Sequence, residues 1–142
     1  MYFVKFLPPL PPLREGAREA EGKQVFGRIG CARCHMPSMR TGDSKTPGLG
    51  RVDAALYSDL LLHDMGDRLA DHISEGSATA REFRTTPLWG LGRKKYLLHD
   101  GRARSAHEAI LEHDGEAARA AARYRELPEQ DRRALEVFLR SL

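Results

Sequence analysis

The sequence Cys31-Ala32-Arg33-Cys34-His35 has the C-x-x-C-H spacing that attaches a c-type haem covalently. Two thiols at this spacing can add to the two vinyl groups of one porphyrin, and the histidine that follows can bind the iron. The chain contains 2 cysteines in all, so no thiol is left for a disulfide or for another cysteine-ligated metal. The motif therefore predicts one covalent haem c, tethered by Cys31 and Cys34, with His35 as the proximal iron ligand.

Two other kinds of site share the C-x-x-C spacing. A thioredoxin-like redox site needs a strand before the motif and a βαβ pattern around it, and neither is visible in this sequence. A structural zinc site needs four ligands, usually as two close pairs, and the remaining histidines supply no second pair at the usual spacing. A haem-free thiol or zinc protein is therefore the less favoured alternative.

Length and charge exclude several classes of protein. The 142 residues suffice for one domain of ordinary size, and the net charge of +3 is mild. Nucleic-acid binding is not indicated, because no basic run is interleaved with aromatic residues. No membrane span is predicted, because no run of about 18 apolar residues is present.

Residues 1–13 are rich in proline and predict an extended lead-in or linker, whereas residues 14–142 are expected to form the haem domain.

Cellular location follows from the predicted cofactor. Bacterial cytochromes c receive their haem outside the cytoplasmic membrane, so a periplasmic or otherwise exported protein is expected. The start of the chain does not have the pattern of a signal peptide, because its apolar part is short and interrupted by prolines. We therefore expect this sequence to be a fragment or a domain of something longer.

Two amphipathic helices are predicted at the ends of the haem domain. Residues 15–29 bring one apolar face together at helical spacing, formed by Gly22, Val25, Phe26 and Ile29. The last helix begins near Pro128 and repeats this spacing with Leu135, Phe138, Leu139 and Leu142. Because a glycine inside a helix costs stability, Gly22 is expected to let the last helix approach closely.

The middle of the chain is predicted to be mostly loop. Residues 36–52 and 84–104 are rich in turn-forming residues, and the second segment is long enough to wrap a haem. Residues 53–62 are expected to be a short helix or irregular, and a short helix is expected near residues 68–75. No segment alternates as a strand does over a useful length. The predicted fold is therefore all-α, a cytochrome c-like domain whose helices and long loops surround one covalently bound haem.

Two residues are candidates for the distal iron ligand. Ser105 and Glu108 form a capping box, which predicts a helix through about His113. His113 lies at the end of the apolar stripe of that helix. A haem bound by His35 alone would still need a sixth iron ligand, which His113 could supply. Met65 is the alternative, because it lies at a distance from the motif at which class I cytochromes c can place a methionine. The choice matters, since methionine raises the haem potential and a second imidazole lowers it.

The order of the motifs resembles a known family. After the first helix and the C-x-x-C-H motif come T-P-L-W-G-L-G at 86–92, L-H-D-G-R-A at 98–103 and S-x-x-E-A-I-x-x-H at 105–113. This series is similar to the C-terminal haem domain of the di-haem cytochrome c peroxidase superfamily. It is most similar to the branch of di-haem oxidoreductases often labelled thiol oxidoreductases, of which the stretch YSDLLLHDMGDRLAD at 57–71 is typical. The resemblance extends from about Gly22 to Leu142.

The resemblance implies a role for the domain. In the better-known peroxidases, the N-terminal haem cleaves peroxide and the C-terminal haem relays electrons to it. The resemblance therefore implies that this chain is the electron-transfer half of a di-haem protein and has no catalytic residue of its own. Its partner would be a second haem domain or another redox protein. The resemblance also implies His113 as the distal ligand and allows a calcium ion near Thr86 and Pro87. The alternative is a free-standing mono-haem cytochrome c that carries electrons between partners.

Overall fold

The computed structural model describes residues 16–142, and the lead-in predicted for residues 1–13 lies outside this part. Within it the chain forms the helices α1 (Ala17–Ile29), α2 (Ala106–Glu112), α3 (Ala118–Arg125) and α4 (Glu129–Ser141). Short 3₁₀ turns cover Cys31–Arg33, Leu91–Arg93 and Gly115–Ala117. None of these helices has the length and apolar character needed to cross a membrane.

The core lies between the first and the last helix, as the two apolar faces predict. The buried residues of α1 and α4 form one cluster with Tyr124 of α3, and its other members are Val25, Phe26, Ile29, Leu135, Phe138 and Leu139. The rings of Phe26 and Phe138 meet edge to face, with 5.5 Å between their centroids. Gly22 lies at a close approach of the two helices, because its hydrogen points at the backbone of Ala134. The predicted role of Gly22 is thus confirmed.

Gly22→Ala should lower the free energy of unfolding by about 2 kcal/mol or more, the usual cost of overpacking a filled core. A Cβ at this position would overlap the carbonyl oxygen of Ala134 and lie 2.6 Å from the Cβ of Phe138. Gly27→Ala is the matched control on the same helix, because no atom lies within 4 Å of its Cβ. That variant should gain about 0.5–1 kcal/mol from higher helix propensity. Urea unfolding measures the free energy of unfolding of both variants. Equal changes in the two variants would contradict the close approach of α1 and α4 at Gly22.

The N-cap that the capping box predicts at Ser105 is confirmed, whereas the return bond from Glu108 goes to Arg104 instead of Ser105. The hydroxyl oxygen of Ser105 accepts a hydrogen bond from the backbone N–H of Glu108 at 3.1 Å. The carboxylate of Glu108 reaches back and accepts from the backbone N–H of Arg104 at 2.7 Å. The helix ends at Glu112, so that His113 is the first residue beyond it.

The strict all-α prediction is wrong in one respect, although the domain is mostly helical. Strands β1 (Met39–Arg40) and β2 (Asp53–Ala54) form one small antiparallel sheet. Strands β3 (Leu62–Asp64) and β4 (Glu82–Arg84) form another, in which His63 is paired with Phe83. Strands of two or three residues are too short to show alternation of apolar and polar side chains, so the sequence pattern does not reveal them.

The helix expected near residues 68–75 is also absent from the structure, and Asp53–Ala54 is a strand instead of a helix start. The carboxylate of Asp71 accepts a hydrogen bond from the backbone N–H of Ile73 at 2.9 Å. His72 between them has a left-handed φ of +62°. A side chain that bonds the backbone two residues on forms a turn, which competes with the helix at this point.

Candidate functional site

The C-x-x-C-H motif forms a tight turn directly after α1. Gly30 ends the helix with a left-handed φ of +103°, and the 3₁₀ turn Cys31–Arg33 begins there. The backbone N–H of His35 donates to the carbonyl oxygen of Cys31 at 2.9 Å, which closes the turn. Both cysteines are free thiols. The turn therefore brings two unlinked thiols and one imidazole to the same end of α1.

His35 is held in the tautomer that binds metals. Its Nδ1 lies 3.0 Å from the carbonyl oxygen of Tyr57. Because a carbonyl only accepts, Nδ1 carries the hydrogen and Nε2 keeps a free lone pair. Burial lowers the pKa of His35 to about 4, so the ring is neutral at physiological pH. A neutral imidazole with its Nδ1–H bonded to a carbonyl is the usual form of a histidine ligand.

His113 has the same arrangement as His35. Its Nδ1 lies 2.7 Å from the carbonyl oxygen of Ala109, one helical turn earlier, so that Nε2 again keeps its lone pair. Burial lowers the pKa of His113 as well. The segments that carry the two histidines are linked through Asp59 and His63. The backbone N–H of Asp59 donates to the carbonyl oxygen of Cys34, and Nδ1 of His63 lies 2.8 Å from Oε2 of Glu116. The structure thus holds two half-buried, neutral imidazoles in the same tautomer.

Met65, the alternative distal ligand, lies in the loop that follows β3. Its side chain is half-buried, and its backbone N–H donates to the carbonyl oxygen of Arg81 at 2.9 Å. This loop touches the loop after α2, since a Cβ at Gly66 would lie 3.0 Å from the side chain of Asp114. The two candidate ligands therefore come from neighbouring loops. For His113, in addition, a hydrogen bond at Nδ1 leaves Nε2 as the ring nitrogen with a free lone pair.

The loop that carries His113 is packed tightly against the end of β3. Gly115 has a left-handed φ of +55°, and its hydrogen points at the carbonyl group of Asp64. One carboxylate oxygen of Glu116 accepts from the backbone N–H of Asp64 at 3.0 Å. These contacts fix the position of the loop two to three residues beyond His113.

Gly115→Ala should therefore be the more damaging of two glycine substitutions at left-handed positions. A Cβ at Gly115 would overlap the carbonyl oxygen of Asp64 and lie 2.7 Å from the nitrogen of Gly66. We expect a loss of about 2–3 kcal/mol in unfolding free energy from strain and overlap together. The matched variant Gly76→Ala has a similar φ of +62° with no atom within 4 Å, and should lose about 1 kcal/mol. Urea unfolding measures the unfolding free energy of both variants. Equal losses would contradict the close packing of Gly115 against Asp64.

A second group of polar side chains lies beside Cys34, and the sequence patterns did not predict it. The Nε2 atom of His63 lies 2.9 Å from Oδ2 of the buried Asp59, and its Nδ1 lies 2.8 Å from Oε2 of Glu116. These two carboxylates raise the pKa of His63, Glu116 more than Asp59. The i, i+4 spacing of Asp59 and His63 is a weak signal in the sequence, whereas Glu116 is distant along the chain and gives none.

The two thiols of the motif are neutral in this environment. Burial raises the pKa of Cys31 to about 12. Burial, followed by the charges of Asp59 and Glu116, raises the pKa of Cys34. Because thiolates are the reactive form, neither sulfur is activated for disulfide exchange. A thioredoxin-like role is therefore poorly served by this site.

Comparison with known proteins identifies the family. The family model described as "Di-haem oxidoreductase, putative peroxidase" matches residues 9–142. The chain therefore belongs to the di-haem oxidoreductase family, which confirms the resemblance seen in the motifs. No curated protein and no solved structure gives a significant match. Family membership supports haem binding and oxidoreductase chemistry, and the free thiols and neutral imidazoles fit a haem.

Proposed function

We propose that this chain is a c-type haem electron-transfer domain, the C-terminal relay half of a di-haem peroxidase-like oxidoreductase. One observation carries the proposal: His35 and His113 are half-buried and neutral, and each has its Nδ1–H bonded to a backbone carbonyl. Within a di-haem oxidoreductase, such a pair is suited to bind one haem iron from both sides.

Each residue of the site has a distinct task in this proposal. Cys31 and Cys34 would tether one haem through thioethers, and His35 and His113 would bind its iron. The carbonyl groups of Tyr57 and Ala109 hold the two rings in orientation and make their Nε2 atoms better donors. The haem supplies one-electron chemistry when it is bound, and ligation by two imidazoles favours a low potential.

Saturated ligation also explains why the domain would relay electrons instead of cleaving peroxide. If His35 and His113 both bind the iron, no position on it would be open for a substrate. The reacting haem would then belong to a second haem domain, or the electrons would pass to a separate redox protein. Attachment of haem outside the cytoplasm would make the protein periplasmic or otherwise exported.

Peroxide should leave the ferric haem of the loaded chain unchanged. We expect no change in its absorption spectrum during an incubation in which a peroxidase would turn over many times. His113→Ala is the matched variant, because it opens the distal position, and its spectrum should respond to peroxide or to added imidazole. Peroxide turnover by the unaltered chain alone, in the presence of an electron donor, would contradict the relay role and favour a complete enzyme.

A further inference from the structure

The side chains of Cys34, Asp59 and His63 converge at one point beside the haem motif. The sulfur of Cys34, a carboxylate oxygen of Asp59 and a ring nitrogen of His63 all lie within 4.8 Å of one another. We propose that these three residues bind a divalent transition-metal ion of the zinc class in the chain that has not yet received haem. This is a different set of ligands from a C-x-x-C site, because Cys31 takes no part in it.

The distances suit zinc with small adjustments. Zinc binds cysteine sulfur at about 2.3 Å and histidine nitrogen or carboxylate oxygen at about 2.0–2.2 Å, so tetrahedral ligands lie about 3.3–3.8 Å apart. The observed cluster has Asp59 Oδ2 and His63 Nε2 at 2.9 Å, and every pair of ligand atoms within 4.8 Å. Rotation of the Cys34 side chain and a slight separation of Asp59 from His63 would complete the site. Three protein ligands leave a fourth position open to water.

The backbone already fixes two of the ligands relative to each other. The backbone N–H of Asp59 donates to the carbonyl oxygen of Cys34 at 2.8 Å. The other carboxylate oxygen of Asp59, Oδ1, accepts from the backbone N–H of Leu61 at 3.0 Å. Asp59 is therefore held at its backbone and at one oxygen, and it presents Oδ2 toward His63.

The third ligand is oriented by an outer carboxylate. Oε2 of Glu116 lies 2.8 Å from Nδ1 of His63, which leaves Nε2 facing Asp59 and Cys34. A carboxylate that accepts from one nitrogen while the other nitrogen binds metal is the common outer partner of a zinc-bound histidine. Glu116 would thus be a positioning residue for the metal.

The donor types favour such an ion, and the charges are compatible with it. Asp59 is buried, and both carboxylates now share the single ring of His63. A divalent cation would replace the ring proton at Nε2 and the thiol proton of Cys34, so two protons are released and the net charge of the site does not change. A mixed set of sulfur, nitrogen and oxygen donors suits zinc or cobalt and not calcium or magnesium, which prefer oxygen alone.

Metal and haem should exclude each other at Cys34. When the thiol adds to a vinyl group, the Sγ–C bond forms and the thiol hydrogen passes to the neighbouring carbon, without an oxidant. The resulting thioether has no thiolate left to offer the metal. This exclusion rests on the proposed function, whereas the metal site itself does not.

The test uses the whole 142-residue chain, produced without haem and kept reduced, with Co²⁺ as a spectroscopic probe. We expect a thiolate-to-cobalt charge-transfer band that is retained in Cys31→Ser and lost in Cys34→Ser and His63→Ala. Glu116→Gln should weaken binding about 10-fold, in the range for outer-shell partners. His72→Ala, at an exposed histidine outside the cluster, should bind as the unaltered chain does.

Two outcomes would overturn the proposal. The absence of a charge-transfer band would show that the cluster does not bind the metal. A band that disappears in Cys31→Ser and survives in His63→Ala would assign metal binding to the C-x-x-C-H motif instead.

The haem-loaded chain should show no cobalt band, and a band there would refute the mutual exclusion of metal and haem at Cys34. A chain that never acquires haem would contradict the proposed function while leaving the metal site standing.

Discussion

Replacing His113 with alanine should convert the ferric haem of the loaded chain from a six-coordinate low-spin form to a high-spin form. In the proposed function His113 supplies the second Nε2 atom, so its removal would leave the iron with His35 and at most a weak ligand such as water. We expect complete loss of the low-spin signal in electron paramagnetic resonance and a shift of the ferric absorption maximum. The reduction potential should rise, because one strongly donating imidazole is gone.

Met65→Ala is the control for this experiment, because Met65 lies in the loop that touches the His113 loop. It removes the alternative ligand and disturbs the same part of the structure. We expect the low-spin spectrum to persist in this variant. Loss of the low-spin signal in Met65→Ala, together with its retention in His113→Ala, would assign the distal position to Met65.

Replacing both cysteines with serine should abolish covalent attachment completely. Serine is close in size to cysteine but cannot form a thioether, and Cys31 and Cys34 are the only thiols in the chain. After maturation with the haem-attachment machinery, acidic organic solvent should extract all haem from the double variant and none from the unaltered chain. The pyridine haemochrome spectrum measures the haem that remains on the protein.

Single substitutions refine the same experiment. Cys31→Ser and Cys34→Ser should each leave one thioether, so that one vinyl group stays unsaturated and the haemochrome band moves toward that of free haem. Retention of covalent haem by the double variant would show that attachment does not use this motif. It would also remove the argument for His35 as the proximal ligand, since that assignment follows from its place after Cys34.

Patterns that are local in sequence predicted the helical part of the fold. The apolar faces of α1 and α4 follow from helical periodicity, and Gly22 stands out because a mid-helix glycine needs a structural reason. Ser105 and Glu108 lie within one helical turn of each other, so their pattern also predicts the start of α2. The pattern therefore places His113 at the end of α2, as the structure confirms, but it carries no sign of the hydrogen bond from His113 to Ala109.

Contacts between distant segments could not be predicted from these patterns. His63 meets Glu116 across 53 positions, and no spacing rule connects the two residues. The carbonyl group that orients His35 belongs to Tyr57, whose left-handed φ of +52° is rare for a residue that is not glycine. The two small sheets depend on the closing of loops by tertiary contacts. Such features depend on the complete packing and leave little trace in any one stretch of sequence.

The mass of the denatured chain tests whether one haem is attached covalently. After maturation with the haem-attachment machinery and removal of all non-covalent ligands, we expect the mass of the polypeptide plus one haem. Mass spectrometry resolves this from the bare chain without ambiguity, and the double cysteine variant provides the bare mass for comparison. A matured chain that carries no haem, or more than one, would contradict the attachment of a single haem by Cys31 and Cys34.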